Sequence, residues 1–178
     1  LHLLSRRQRQ MCIRDSQILS VVKHFPGQGA TAGDSHDGAV STDKSLDDLL
    51  ANELVPFQQA VNNGASFVMV GHISAPAVTG DDTPASLSSV MVTDVLRNQL
   101  GFHGVVITDA MNMGAVTGTY SSADAAVTAI QAGVDMILMP DDFQSAYQGV
   151  MDAVAGGTIT EDRINESVAR IIKVKLTM

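Results

Sequence analysis

Short apolar runs alternate with segments of helical period along the chain from residue 17 onward. Four of these runs are almost continuously hydrophobic and rich in β-branched residues or methionine, which is typical of parallel strands buried on both faces. They span residues 19–25, 67–72, 105–108 and 136–139. Each is followed by at least one segment in which apolar residues recur at helical spacing.

Glycines mark the ends of the predicted helices. Gly64, Gly101 and Gly133 follow three of them, and Gly156-Gly157 follows a fourth that starts near Phe143. Thr160 is placed to cap the last helix. In that helix Ile164, Val168, Ile171 and Ile172 are predicted to form a buried stripe.

Four successive strand–helix units predict a parallel α/β architecture. The fold class that we expect is a partial (β/α)₈ TIM barrel, because a complete barrel takes about 250 residues and the 178-residue chain supplies four units. Periodicity alone does not tell whether the sheet closes.

The composition limits the classes of partner. The formal net charge of −8 argues against nucleic acid, whose phosphates attract a basic surface. No apolar run reaches the roughly 20 residues of a membrane span, and no signal-peptide pattern is present at the N-terminus. Cys12, the single cysteine, excludes an internal disulfide framework and a cysteine-based zinc site. The histidines and carboxylates form no tight cluster at ligand spacing, so we expect no metal and no cofactor.

Residues 1–16 differ from the remainder. They carry Arg6, Arg7, Arg9 and Arg14, and they show neither strand nor helical period. A basic docking arm is one interpretation. We favour the other, a non-native or disordered segment that takes no part in the fold of residues 17–178.

The first predicted strand leads into a glycine-rich loop, PGQGATAGDSHDGAV. Within it Asp34 lies two residues from His36, close enough in a turn for the carboxylate to orient the imidazole. For the triplet taken alone, a surface turn with a solvated histidine is the commoner situation. The loop matches neither of the glycine-rich phosphate-binding motifs.

Further polar residues lie where the predicted strands end, which is where active sites of parallel sheets form. Asp109 ends the third strand, where it could attack a sugar carbon or cap the next segment. Lys23 and His24 suit either substrate binding or a structural ion pair. His72 follows the second strand, a position more often held by a hydrogen-bonded core histidine than by a catalyst.

Taken together, these segments resemble glycoside hydrolase family 3, in particular its bacterial β-N-acetylglucosaminidase branch. The resemblance covers about residues 18–176 and rests on five stretches: KHFPGQGATAGDSH, VMVGHI, PASLS, LGFHGVVITDAMNMGA and AGVDMILMP. The combination of the first and fourth is highly specific.

The resemblance implies strands five to eight of the catalytic barrel and retaining hydrolysis of β-N-acetylglucosaminides. It implies that Asp109 is the nucleophile and that His36, paired with Asp34, is the acid/base. It also implies a carbohydrate substrate, bound by Lys23 and His24; we add His72 to this substrate-binding set. The usual second histidine of the loop is Gln28 here, a departure from the family pattern that we expect to affect the loop geometry.

Three other functions stay open: a family 3 β-glucosidase, an N-acetylglucosaminide phosphorylase and a non-catalytic carbohydrate-binding remnant. The sequence gives neither the localisation nor the oligomeric state. The five matching stretches do not include strands one to four of the barrel or the upstream residues that bind the sugar in this family. We therefore expect the 178-residue chain alone to be inactive.

Overall fold

The computed structural model describes residues 18–29, 31 and 38–177. The predictions for residues 1–16 and for the Asp34–His36 pair lie outside the described residues. No helix in the described part of the chain is both long enough and apolar enough to cross a membrane.

The main sheet has four parallel strands in the order β1–β3–β5–β6, and a short parallel pair, β2 with β4, lies apart from it. The strands are β1 (Val21–Phe25), β2 (Val40–Ser41), β3 (Phe67–Val70), β4 (Ile73–Ser74), β5 (Val105–Ala110) and β6 (Met136–Leu138). Each long strand pairs with the next one along the chain, which is the order of a barrel wall. A doubly wound sheet would instead reverse its order at a switch point.

Helices connect and cover these strands. They are α1 (Leu46–Ala51), α2 (Val55–Asn62), α3 (Pro76–Thr79), a 3₁₀ turn (Ala85–Leu87), a π-helix (Val90–Gln99), α4 (Gly114–Thr117), α5 (Ser122–Ala132), α6 (Phe143–Ala155) and α7 (Glu161–Lys175). The four predicted strands are confirmed to within two residues at each end. Gly133 ends α5 with a φ of 111°, as predicted for a left-handed helix terminus.

The core lies between the sheet and the helices that follow β1, β3 and β5. Phe25 at the end of β1 meets Phe57 of α2 edge to face, with ring centroids 5.4 Å apart. Val68 and Val70 of β3 and Val106 of β5 are fully buried. These three valines lie on one face of the sheet, whereas Phe67 and Met69 on the other face of β3 are only half-buried. The prediction of strands buried on both faces is therefore met only in part among the described residues.

The buried side of the C-terminal helix corrects the sequence prediction. Val168 and Ile172, predicted to be buried, are 44% and 49% exposed. The helix instead turns Arg163, Ser167 and Arg170 toward the carboxylate of Asp135. Helical period identifies an apolar stripe, but here a buried charge on a neighbouring segment decides which side faces inward.

Asp135 is the electrostatic centre of this region. Its side chain is fully buried; Oδ2 accepts hydrogen bonds from Arg97 Nη2 at 2.7 Å and from the Val106 N–H at 2.9 Å. Its Oδ1 accepts from Ser167 Oγ at 2.7 Å and from Arg170 Nη1 at 3.0 Å. Asp135 precedes β6 and Val106 lies early in β5, so the cluster joins the amino ends of two strands to α7.

We expect Asp135→Asn to lower the free energy of unfolding by about 3 kcal/mol, because the guanidinium groups would keep their charge and lose the buried carboxylate that compensates it. Denaturant unfolding measures the difference. The matched control is Asp152→Asn on α6, which is exposed and should change stability by less than about 0.5 kcal/mol. Equal effects of the two substitutions would contradict the assigned role of Asp135.

Candidate active site

The carboxyl ends of β1, β3 and β5 bring three polar residues to one edge of the sheet. His24 lies in β1, His72 follows β3 and Asp109 lies near the end of β5. The Nε2 atom of His24 is 3.5 Å from Oδ2 of Asp109, and the two side chains are 21% and 15% exposed. The strand-end residues predicted from the sequence are therefore neighbours in space.

The carboxylate of Asp109 is fixed by a hydrogen bond but remains partly exposed to solvent. Its Oδ1 accepts a hydrogen bond from the Ala110 N–H at 2.9 Å, whereas its Oδ2 faces His24. The backbone N–H that Asp109 binds is that of the next residue, Ala110; it does not reach α4, whose N-cap is Met113 and which no side chain caps. A carboxylate with one fixed oxygen and partial exposure is suited to attack on a bound carbon.

Side-chain and main-chain hydrogen bonds fix the strand on both sides of Asp109. Thr108 is fully buried, and its Oγ1 accepts from the Leu138 N–H at 3.0 Å. The Met111 N–H donates to the Leu138 carbonyl at 2.9 Å. The pairing of β5 with β6 changes register between Ile107 and Ala110, and these contacts bridge that irregularity.

His72 is buried, with 1% of its surface exposed. Its Nδ1 lies 2.8 Å from Ser86 Oγ and its Nε2 lies 3.0 Å from the Ala110 carbonyl oxygen. Burial lowers the pKa of His72 below its usual value, although the nearby Asp109 carboxylate opposes that effect. The prediction that His72 binds substrate remains a prediction, and both of its ring nitrogens contact protein atoms.

Lys23 and His24 line a cleft of about 330 Å³ beside this edge. Lys23 is exposed, and Glu53 forms another wall of the cleft. The Glu53 Oε1 atom accepts from Lys44 Nζ at 2.5 Å, while its Oε2 is buried and has no hydrogen-bond partner among the described residues. Gln28 also lines the cleft, and its carbonyl accepts from the Thr31 hydroxyl at 3.0 Å.

The described residues on either side of segment 32–37 lie at the same edge. Pro26 to Gly29 follow β1 directly, and Val40 and Ser41 return as β2 beside Ile73 and Ser74 of β4. The Thr42 N–H extends this pairing by donating to the Ser74 carbonyl at 2.9 Å. The segment that carries Asp34 and His36 thus starts and ends at the carboxyl edge of the sheet.

Ser86 and Thr108 are buried polar residues of the site that sequence reasoning missed. Both are fully buried, and each contacts a neighbouring segment through its hydroxyl group. Ser86 lies in the PASLS stretch, which contributed to the prediction only as part of the family resemblance. Serine and threonine are mostly exposed in proteins, so the residue type alone does not indicate burial. The burial of these two hydroxyl groups is visible only in the structure.

Comparison with known proteins gives a family match over nearly the whole chain. Residues 7–174 match the glycosyl hydrolase family 3 N-terminal domain. The chain is 35% identical over 171 residues to β-hexosaminidase LpqI of Mycobacterium tuberculosis. The alignment covers 92% of this chain and 43% of that protein. The chain spans less than half the length of the curated relatives that it matches first.

Two solved structures extend the comparison to the fold. A glycoside hydrolase family 3 β-N-acetylglucosaminidase from Paenibacillus sp. superposes with a TM-score of 0.90 at 37% identity, over 92% of this chain and 32% of that one. A β-glucoside phosphorylase, BglX, superposes with a TM-score of 0.87 at 29% identity, over 92% of this chain and 31% of that one. The parallel sheet with its helices is therefore part of a TIM-barrel-like domain.

The buried His72 makes stability depend on pH. Because burial lowers its folded-state pKa below the usual 6.5, the unfolded chain binds the proton more readily, and stability is lost as the pH falls through about 6.5. We expect the wild-type free energy of unfolding to fall between pH 7 and pH 5 more steeply than that of His72→Gln, by at most about 1.4 kcal/mol per pH unit.

The measurement is denaturant unfolding at a series of pH values. His103→Gln replaces an exposed histidine and serves as the control, with a pH dependence like that of the wild type. Parallel curves for the wild type and His72→Gln would show that His72 protonates equally well in the folded and unfolded states.

Proposed function

Because the chain belongs to glycosyl hydrolase family 3, as its match over residues 7–174 shows, we propose that it supplies the nucleophile and the acid/base of a retaining β-N-acetylglucosaminidase. The observation that carries the proposal is the carboxylate of Asp109. Its side chain lies at the carboxyl end of β5, is 15% exposed, and has His24 of β1, across the intervening strand β3, 3.5 Å away. The substrates that we propose are terminal β-N-acetylglucosaminides of peptidoglycan fragments or chitin oligosaccharides.

The reaction takes two steps. In the first, an oxygen of Asp109 attacks the anomeric carbon while the glycosidic C–O bond breaks and His36 gives its proton to the departing oxygen. In the second, water attacks the same carbon, passes a proton to His36 and releases Asp109 as the carboxylate. Asp34 orients the imidazole and stabilises its charged form.

A histidine suits this task because its usual pKa of about 6.5 lets it lose and regain a proton near neutral pH. An imidazole, protonated or neutral, also avoids the repulsion between Asp109 and the negative charge that a second carboxylate would bring. Lys23 and His24 line the cleft at the same edge, which supports a role for them in binding sugar hydroxyls. The entry and exit of the loop at that edge support the approach of His36.

The substrate site requires strands beyond those described, which we propose to be strands one to four of the barrel. Among the described residues, β1 and β6 each pair on one edge only. Large apolar side chains beside these strands are exposed: Val21 by 42% and Met139 by 57%. Unpaired strand edges with exposed apolar residues are favourable pairing sites for further strands.

A phosphorylase is the second candidate function. It is supported by the structural similarity to the β-glucoside phosphorylase BglX. Phosphate would replace water in the second step, and the first step would be unchanged. Adding phosphate to the assay and analysing the products for sugar 1-phosphate separates the two activities. Hydrolysis unaffected by phosphate supports the glycosidase.

Substitution of the two catalytic residues tests the proposal in the protein that carries this chain. With 4-nitrophenyl N-acetyl-β-glucosaminide we expect Asp109→Ala to reduce kcat by about 10⁴-fold or more, as for loss of a nucleophile. For His36→Ala the substrate is an N-acetyl-β-glucosaminide with a sugar as leaving group, whose departure depends on the general acid far more than that of 4-nitrophenolate. On it we expect kcat to fall by about 10²- to 10⁴-fold.

His103→Ala is the matched control for His36→Ala, and Asp152→Ala for Asp109→Ala, since both residues are exposed. Azide added to the two active-site variants distinguishes the roles. It should yield the α-glycosyl azide with Asp109→Ala and the β-glycosyl azide with His36→Ala. An enzyme that prefers the β-glucoside, or that is indifferent to loss of His36, would contradict the assigned branch and acid/base.

We also expect the isolated 178-residue chain to leave the same substrate unchanged, because the strands that complete the sugar site are not among its segments. The assay compares this chain with the protein that carries it, at equal molar concentration. Robust turnover by the isolated chain would contradict the proposed need for additional strands.

A further inference from the structure

From the sequence we place His72 among the substrate-binding residues, but its surroundings point away from direct contact with a sugar. His72 is 1% exposed, follows β3 and contacts Ala110 at the end of β5, next to Asp109. Its two ring nitrogens contact Ser86 and Ala110, at 2.8 Å and 3.0 Å. An imidazole that uses both nitrogens in this way has no polar atom left to bind substrate.

The partners of the ring define which nitrogen carries the proton. A carbonyl oxygen only accepts, so Nε2 carries the hydrogen that is donated to Ala110. Burial keeps the ring neutral by lowering its pKa, so Nδ1 accepts the hydrogen of the Ser86 hydroxyl. The Ser86 N–H in turn donates to the Gly71 carbonyl at 3.1 Å, which fixes the serine next to the histidine.

Gly71 permits this close arrangement. A Cβ atom at Gly71 would lie 3.3 Å from the Cβ of His24, so a side chain there would press on the histidine that faces Asp109. The Gly71 N–H donates to the Phe25 carbonyl at 2.8 Å, and its carbonyl accepts from Ser86. One residue therefore links the end of β1 with the serine that holds His72.

Ala110 is the link between His72 and the proposed nucleophile. Its N–H donates to Asp109 Oδ1 at 2.9 Å, and its carbonyl accepts from His72 Nε2 at 3.0 Å. The next peptide N–H, that of Met111, donates to Leu138 at 2.9 Å. The Ala110 carbonyl and the Met111 N–H belong to one peptide group, which His72 and Leu138 hold from its two sides. The hydrogen bond that fixes one oxygen of Asp109 depends on how Ala110 is oriented.

We propose that His72 is a positioning residue: by donating from Nε2 to the Ala110 carbonyl, it sets the main-chain orientation that aims the Asp109 carboxylate at the anomeric carbon. The inference rests on the proposed role of Asp109 as nucleophile. Ser86 takes part by donating its hydroxyl hydrogen to Nδ1, which supports the tautomer that carries its hydrogen on Nε2. Misplacement of a reacting group by about 1 Å costs about 100-fold in rate, so a small rotation of Ala110 has a large effect.

Three variants of the protein that carries this chain separate positioning from packing. His72→Phe keeps a flat ring and removes the donor. His72→Gln keeps a side-chain N–H that can reach the Ala110 carbonyl and an oxygen that can accept from Ser86. Ser86→Ala removes the hydroxyl that fixes the tautomer, and its matched control is Ser74→Ala, which removes the buried hydroxyl that donates to the Asp82 carbonyl at 2.6 Å.

The readouts are kcat and KM on 4-nitrophenyl N-acetyl-β-glucosaminide, together with the thermal midpoint of each variant. We expect His72→Phe to lower kcat by about 100-fold while KM changes by less than about threefold, because the lost interaction acts in the transition state and not in ground-state binding. His72→Gln should recover most of that loss. Ser86→Ala should lower kcat by about tenfold, and Ser74→Ala should leave it unchanged at a similar thermal midpoint.

Three outcomes would overturn the inference. Equal kcat in folded His72→Phe and His72→Gln would assign the side chain to packing alone. A raised KM with unchanged kcat in His72→Phe would assign it to sugar binding. If His72→Phe does not fold, Ser86→Ala with the same kcat as Ser74→Ala would overturn it instead.

Failure of this inference and failure of the proposed function give different results. If Asp109→Ala keeps wild-type activity, the proposed nucleophile is wrong and the role of His72 falls with it. If Asp109→Ala is inactive and folded His72→Phe keeps its full kcat, the nucleophile stands and only the positioning role is lost.

Discussion

The parallel direction of the four main strands is the constraint on which the site depends. Parallel strands place their carboxyl ends at one edge, and the register between β3 and β5 pairs Val70 with Thr108. His72 and Ala110 each lie two residues beyond that pair, so the register accounts for the contact between the His72 ring and the Ala110 carbonyl. A shift by one residue would turn Asp109 to the opposite face of the sheet.

Buried polar contacts secure the strands at both ends. At the amino ends, the fully buried Asp135 carboxylate joins β5, β6 and the C-terminal helix through arginine and main-chain donors. At the carboxyl ends, Thr108 bonds to Leu138 and His72 bonds to Ala110 on the two sides of Asp109. Buried polar groups contribute favourably only when their partners are in place, so both clusters favour a single arrangement of the sheet.

The strands and helix ends could be predicted from the sequence because they depend on local features. Apolar runs identified the four strands, and Gly133 marked the end of α5. The position of Asp109 at a strand end followed from the same pattern. For His24 the pattern predicted only a place at the same edge, because β3 lies between β1 and β5 and the contact with Asp109 reaches across it.

Other features depend on contacts between distant segments and could not be predicted in this way. The exposure of Val168 and Ile172 follows from the position of Asp135, which lies about 30 residues earlier in the chain. The hydrogen bond of Ser86 to His72 requires the 3₁₀ turn to meet β3. A periodic pattern shows that one side of a helix is apolar, but it contains no information on which partner the opposite side meets.

The central claim is that Asp109 forms a covalent bond to the sugar, and trapping that intermediate tests it most directly. The protein that carries this chain would be treated with a fluorinated N-acetylglucosaminyl fluoride, whose ring fluorine slows release from the enzyme, then digested and analysed by mass spectrometry. We predict that one sugar is attached to the peptide that contains Asp109. Attachment to another carboxylate, or turnover of the reagent with no covalent adduct at any time, would contradict the account.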